Sequence, residues 1–288
     1  MDPSPSPLKP VAILVTLDAG YLRPLCVMLR SLSARNPERD FRVFVLHSSL
    51  TQTELDTVRR AVDGCRMTIE ELRISGGGLD EAPTTSRYPR EMYYRIFAAQ
   101  VLPGELDRVL YLDPDVLAIN PLGELPFLPM GDALFAACSH VHASLRRFNA
   151  RRLGMKNDAP YINSGVMLLN LSLLRREQKP ETVQEWLTHH RNLLLPDQDV
   201  ISSLYGDRIL LLDALRYNLG EKFYHSCRMR PRSAGEERLD LSWVRQNTVF
   251  IHYCGRNKPW KPRYIGELGV FYEEFMTELK EMALPEPD

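Results

Sequence analysis

Asp113-Pro114-Asp115 places two carboxylates two residues apart, directly after the apolar run Val109-Leu110-Tyr111-Leu112 and ahead of Val116-Leu117. Residues i and i+2 of a strand face the same way. A strand end therefore aims both carboxylates at one point, where a hard divalent cation can bridge them and a phosphate. Asp-Pro-Asp is also a common turn, so the pair needs support from elsewhere in the chain. His252 offers it. It ends an apolar stretch and precedes Tyr253-Cys254-Gly255-Arg256-Asn257-Lys258-Pro259-Trp260. A lone histidine usually serves structure, but an imidazole beside two carboxylates suits Mn2+ better than Mg2+ or Ca2+, nitrogen being the softer donor. Mg2+ is the alternative cation. Gly255 lets backbone approach a phosphate closely, and Lys258 can neutralise one.

Two further segments carry polar groups at element ends. Asn163-Ser164-Gly165 stands before the apolar residues 166–169, and Asp197-Gln198-Asp199 follows Pro196. In isolation these read as a turn and a helix cap. Sugar hydroxyls also require such groups, directional donors and acceptors on a rigid frame. The patterns GxxxxGK[ST], GxSxG and HExxH are absent, and no GxGxxG follows the first apolar run. A phosphate-binding loop of the usual type, a dinucleotide fingerprint, a serine nucleophile elbow and a zinc-protease helix are thus unsupported.

The elements that must position these residues alternate through the first half. Residues 11–16 form a short apolar run suited to a buried strand, broken at Asp18-Ala19-Gly20-Tyr21. Leu25, Met28, Leu29 and Leu32 then share one helical face, ending near Asn36-Pro37. Strand 41–46 is followed by a helix over 51–62, with Thr51 as N-cap and Glu54 completing a capping box. A third strand spans 67–72, Gly76-Gly77-Gly78 makes a flexible loop, and a helix over 90–102 carries Arg95. The strand ending at Asp113 comes next. This alternation predicts an α/β fold with a mostly parallel, Rossmann-like central sheet flanked by helices. Such sheets bind ligands beyond the carboxyl ends of their strands, so Asp18 and Asp113 are expected in one crevice. Further on, strands are expected at 133–138, 166–169, 208–212 and 248–253. Helices are expected over 177–195, from 197 onward and over 271–282.

Composition sets the outer limits. With 288 residues, one large domain is expected, taken as 9–270, with a disordered Pro/Ser-rich tail at 1–8 and a C-terminal helix and tail at 271–288. A net charge of −1 argues against nucleic acid as a partner. Arg146, Arg147, Arg151 and Arg152 cluster locally, which reads first as a solvated helix face. The five cysteines have no CxxC spacing and suggest reduced thiols in the cytoplasm. No signal peptide or integral membrane segment is read, and peripheral membrane contact is left open.

Taken in order, several blocks resemble glycosyltransferase family 8, which includes glycogenin and bacterial lipopolysaccharide α-galactosyl- and α-glucosyltransferases. The blocks are Val15-Thr16-Leu17-Asp18 with Tyr21 and Arg23-Pro24-Leu25; Tyr93-Tyr94-Arg95-Ile96; 109–115; Tyr161 to Val166; Asp197 to Val200; and Ile251 to Trp260. The resemblance covers roughly residues 9–270. It implies a GT-A fold and retaining transfer of galactose or glucose from a UDP-sugar to a glycan acceptor, lipopolysaccharide or another surface saccharide. By position it implies that Asp113, Asp115 and His252 hold the metal, and that Thr16, Asp18 and Tyr21 contact uracil and ribose. Arg95 is a nucleotide or sugar clamp and Pro114 a further donor contact. Gly255 and Lys258 touch the pyrophosphate, and Asn163, Asp197 and Gln198 touch the donor sugar. Gln198, Asp197 and Lys258 are the expected catalytic group, with Gln198 too poor a nucleophile for a covalent route.

The chain departs from the family pattern at Ala19 and Gly20, where Asp or Asn is usual, and at Ser139-His140, where an acid commonly follows the strand. Its tail helix is acidic and ill suited to anionic lipid. A sugar-phosphate nucleotidyltransferase would need a basic Gly-rich loop after the first strand. A nucleotide-sugar binding protein without turnover would have no reason to keep every charged group.

Overall fold

The computed structural model describes residues 9–74, 91–156, 159–190, 193–230 and 237–281. The tail at 1–8, the Gly76-Gly77-Gly78 loop and the residues after 281 lie outside these. Nine strands occur among the described residues: β1 Val11–Thr16, β2 Phe41–His47, β3 Met67–Arg73, β4 Arg108–Leu112, β5 Val116–Ala118, β6 Phe135–Cys138, β7 Asn163–Asn170, β8 Ile209–Leu212 and β9 Phe250–His252. Seven make one sheet in the order β3-β2-β1-β4-β7-β6-β8, and β5 pairs with β9 in a separate two-stranded sheet.

Strands β3, β2, β1 and β4 run parallel. β7 alone is reversed, pairing antiparallel with β4 and β6. That reversal brings the start of β7 to the same sheet edge as the end of β4, with Leu112 opposite Val166. The sheet is buried on both faces, and side-chain alternation divides its core in two. Ile13, Val15, Leu110 and Leu112 pack on one side, and Leu14, Val109 and Tyr111 on the other. A third cluster ties the helix Gly269–Glu281, through Phe271, Phe275 and Leu279, to Leu117 and Ile251 of the small sheet and to Tyr253 just after it.

Some elements differ from the sequence reading. The expected helix over 90–102 is interrupted, with helical turns at Glu91–Tyr94 and Ala98–Val101 joined by a tight turn of 3-10 helix at Arg95–Phe97. The expected helix over 177–195 narrows to Pro180–His189, and a separate helix, Leu171–Glu177, precedes it. Pro180 lacks an N–H donor and favours the first turn of a new helix over the interior of an old one. The stretch 248–253 narrows to β9, which leaves the main sheet altogether. The capping box of the helix Gln52–Ala61 is formed as expected, Thr51 accepting from the Glu54 N–H while the Glu54 carboxylate accepts from the Thr51 N–H.

Candidate active site

Three chain segments meet at the edge where β1 and β4 end and β7 begins, and the small sheet closes them from outside. Asp113 follows β4 and Asp115 precedes β5, so the pair belongs to a turn, closed by the Val116 N–H donating to the Asp113 carbonyl (3.1 Å). The convergence expected of a strand end is thus delivered by a turn between two sheets. Register does the rest. Val116 lies opposite His252 in the β5–β9 pair, which seats the imidazole beside both acids. His252 Nε2 is 3.2 Å from Asp115 Oδ1 and 3.5 Å from Asp113 Oδ2. One donor atom from each of the three side chains falls within 4.8 Å of the others.

The surroundings fix these groups. The Tyr111 hydroxyl donates to Asp113 Oδ1 (2.6 Å), and Arg95 Nη1 stands 2.9 Å from the same oxygen. Asp115 is buried and gives Oδ2 to the Lys258 ammonium, while its Oδ1 has no hydrogen-bond partner among the described residues. Burial resists ionisation of Asp115, but positive charge on a protonated His252 ring and on the Lys258 ammonium outweighs it and holds the carboxyl well below the usual range. Lys258 is buried too. Burial disfavours its charge, and the Asp115 carboxylate overcomes this and raises its pKa.

Asn218, fully buried, decides which nitrogen of His252 is free. The Gly165 backbone N–H can only donate, and it donates to the Asn163 side chain (3.1 Å), so that atom is Oδ1. The Asn218 atom 2.9 Å from the same Asn163 oxygen must then be its Nδ2. Asn218 Oδ1 therefore faces His252 Nδ1 (2.9 Å), and Nδ1 carries the proton. In the neutral ring, Nε2 keeps its lone pair toward Asp113 and Asp115, which is how second-layer partners orient a ligating histidine. Behind Asn218, His140 Nε2 donates to its carbonyl (2.5 Å). Burial pushes the His140 pKa down to about 4 despite that bond.

Gly165 lets the ring in. A Cβ at this position would stand 2.1 Å from His252 Cε1, so any other residue would displace the imidazole. The sequence reading placed Gly165 in a turn and left out Asn218. Nothing in the sequence pairs Asn218 with a histidine 34 positions away. An asparagine inside the apolar stretch Tyr217-Asn218-Leu219 was the available signal.

On the other wall, Asp197 is fully buried. Its Oδ2 receives the Ser164 hydroxyl (2.6 Å) and lies 3.1 Å from Arg95 Nη1. Burial raises the Asp197 pKa, and Arg95 works against that. The Arg95 guanidinium, only 5 % exposed, also stacks 4.4 Å over the Tyr111 ring and reaches Thr16 Oγ1 (3.4 Å). Arg95 is thus occupied as a brace between Asp113 and Asp197. Asp18 Oδ1 accepts from the Gly20 N–H (2.8 Å) and caps the turn that presents Tyr21. Gly255 has φ +96°, a left-handed backbone that favours glycine.

These groups surround one cleft of about 560 Å3, a size usual for small-molecule sites, with Tyr111, Asn218 and His140 behind its wall. The cleft brings together every residue named from the sequence: Thr16, Asp18, Tyr21, Arg95, Asp113, Pro114, Asp115, Asn163, Asp197, Gln198, His252, Gly255 and Lys258. It adds Cys254, Arg256 and Lys261.

The family model for glycosyl transferase family 8 matches residues 12–263. The chain belongs to this family. It is 25% identical over 250 residues to a lipopolysaccharide 1,2-glucosyltransferase of Escherichia coli, covering 85% of this chain and 71% of that one. To general stress protein A of Bacillus subtilis it is 25% identical, over 84% and 85% of the two chains. To a lipopolysaccharide 1,3-galactosyltransferase of Salmonella typhimurium it is 26% identical, over 85% and 71%. The galactosyltransferase LgtC, solved with donor and acceptor sugar analogues, superposes with a TM-score of 0.78 at 24% identity, over 93% of this chain and 96% of that one. The fold is the GT-A type, and the enzyme is a glycosyltransferase. Among the described residues, no helix is long and apolar enough to cross a membrane.

Proposed function

We propose that this enzyme is a retaining hexosyltransferase, moving galactose or glucose from a UDP-sugar to a glycan, with lipopolysaccharide or another surface saccharide as the acceptor class. The observation that carries the reading is the meeting of Asp113, Asp115 and His252 at one point of a cleft that Lys258 also lines. The lipopolysaccharide enzymes among the relatives support the acceptor class.

The three donors fit a divalent cation. Asp115 Oδ1 is buried without a partner, Gly165 leaves room for the ring, and Asn218 turns Nε2 inward. Two carboxylates and one imidazole favour Mn2+, with Mg2+ second. When bound there, the cation would supply Lewis-acid stabilisation of the charge on a departing diphosphate.

The remaining roles fall to the chain's own side chains. Lys258 has three N–H donors, and Asp115 and the Tyr253 carbonyl take two. The third, beside Tyr21, can turn to the β-phosphate as negative charge grows on it. Thr16, Asp18 and Tyr21, at the end of β1, receive the uridine. Asn163 has its Oδ1 taken by Gly165 and Asn218, so its amide NH2 is the group that meets a sugar hydroxyl.

Retention by a covalent intermediate would need a carboxylate open to the anomeric carbon. Asp197 is buried and held by Ser164 and Arg95, and the neighbouring Gln198 is an amide. The acceptor hydroxyl therefore attacks from the face the phosphate leaves. Its oxygen bonds to the anomeric carbon as the carbon–phosphate-oxygen bond breaks, and its proton passes to the departing phosphate. Gln198 sits where it can orient the sugar.

UDP release from a panel of UDP-sugars with Mn2+, compared with Asp115→Ala, tests the reading. Release from UDP-galactose or UDP-glucose that disappears in the variant is expected. Consumption of UTP and a sugar phosphate instead, or binding without turnover, would overturn it. A trapped glycosyl ester on Asp197 would refute the front-face route alone.

A further inference from the structure

The helix Ala143–Leu153 carries a surface that the cleft chemistry does not use. Phe148 is 55 % exposed and Leu145 48 %, one turn apart. Met229, 84 % exposed, follows the helix Glu221–Arg228, whose end meets the start of this one. The Ser226 hydroxyl lies 2.5 Å from His142 Nε2, and Arg230 donates to His142 Nδ1. Among the described residues, six large apolar side chains are exposed, and three of them sit here. A single exposed leucine means little, whereas a cluster marks an interaction surface.

The helix itself carries charge of one sign. The helix contains four arginines and no acid. Arg152 is tied down by Asp199, but Arg147 and Arg151, four residues and one turn apart, are exposed. Arg230 adds a third positive group beside Met229. Exposed aromatic and aliphatic side chains ringed by guanidinium groups match the boundary between lipid headgroup and acyl chain. Each cationic side chain near an anionic bilayer favours binding. The patch also has a definite place relative to the cleft. His140, two residues before His142, holds the Asn218 carbonyl, and Asn218 holds His252.

We infer that this helix face is a membrane-docking surface whose partner is an anionic lipid bilayer. Phe148, Leu145 and Met229 enter between headgroups, and Arg147, Arg151 and Arg230 engage lipid phosphates. Docked this way, the enzyme holds the start of the helix against the bilayer, and His140, two residues before His142, links that end to Asn218 behind the cleft wall. That orientation suits an acceptor saccharide carried on lipid, a consequence that rests on the proposed function. The docking itself does not.

The test uses the full chain and sedimentation with vesicles of phosphatidylcholine containing 30% phosphatidylglycerol, against pure phosphatidylcholine, at low and high NaCl. Binding to the anionic vesicles alone, weakened by salt, is expected. The double variants Leu145→Ser/Phe148→Ser and Arg147→Glu/Arg151→Glu should each lower vesicle affinity about tenfold or more. Turnover on soluble substrates should stay at the parent rate, which certifies the fold. Asp115→Ala should bind vesicles like the parent, so loss of the enzyme reading leaves this result standing. Failure to bind anionic vesicles, or undiminished binding by both double variants, overturns the proposal. So does a concentration-dependent dimer that Phe148→Ser abolishes while vesicles are ignored, since the face would then belong to a second copy of the chain.

Discussion

The spacing Asp-x-Asp occurs twice around the cleft, and the two pairs behave in opposite ways. Asp113 and Asp115 lie in a turn between two strands and point at one atom, His252 Nε2. Asp197 and Asp199 open the helix Pro196–Tyr205, where residues two apart diverge by about 200°. Asp197 looks toward the cleft, through Ser164 and Arg95. Asp199 looks away and gathers Arg152, the Tyr161 hydroxyl and the Leu194 N–H. Both helix acids are fully buried. The first pair is suited to share one ligand, and the second joins the cleft wall to the scaffold behind it. Spacing alone is therefore not a function. The backbone beneath it decides whether two carboxylates cooperate.

This contrast can be broken by substitution. Asp115→Asn should reduce turnover by about a thousandfold, because it removes the metal's charge balance, and should also cost about 3 kcal/mol of stability, because it leaves the buried Lys258 ammonium without its carboxylate. Asp199→Ala should spare turnover. It strands Arg152 and a buried hydroxyl, at about 3 kcal/mol of stability, while the folded fraction stays active. Denaturant titration and UDP-release rates on both variants check this, and turnover lost in folded Asp199→Ala but kept in Asp115→Asn would refute the division of labour. Asn218→Leu should weaken Mn2+ binding by about 10- to 100-fold, the usual cost of losing such a partner. Asn218→Asp, which still accepts from His252 Nδ1, should recover most of it. Equal losses in the two variants would mean that Asn218 merely packs.

A smaller effect concerns pH. His140 has its pKa depressed to about 4 by burial, against about 6.5 in an unfolded chain. Between those values the unfolded state binds the extra proton, so stability rises with pH. Read downward, His140 removes stability from about pH 6.5 to about pH 4, to a total of about 3 kcal/mol. Asp115, held low, gives up its share only below the usual carboxylate range and falls outside this window. His140→Gln, which can still donate to the Asn218 carbonyl, should flatten the fall in Tm between pH 6.5 and 4. An unchanged slope would assign the loss to other groups, His47 among them, whose pKa burial also lowers.

The parallel half of the sheet was readable because β1, β2 and β4 are apolar runs separated by punctuated helices, and the Thr51–Glu54 capping box announces its own helix. The direction of β7 was not. An apolar strand reads alike whichever way it runs, yet its reversal is what carries Asn163 and Ser164 to the cleft. The metal-binding set was legible as residue types, whereas its geometry depends on the Val116–His252 register and on a turn that the strand argument did not anticipate. Arg95 was marked as a ligand clamp, but the packing of Asp113, Asp197 and Tyr111 around it comes from three separate segments. Asn218 stayed hidden for the same reason: its meaning lies entirely in long-range partners.

The account turns on one cation shared by Asp113, Asp115 and His252. Titration of the metal-free protein with Mn2+, followed by electron paramagnetic resonance of the free ion, measures it directly. One site per chain is predicted, lost in Asp113→Asn, Asp115→Asn and His252→Gln but kept in Asp199→Ala. No saturable site in the parent protein, or a site that survives all three substitutions, would contradict it.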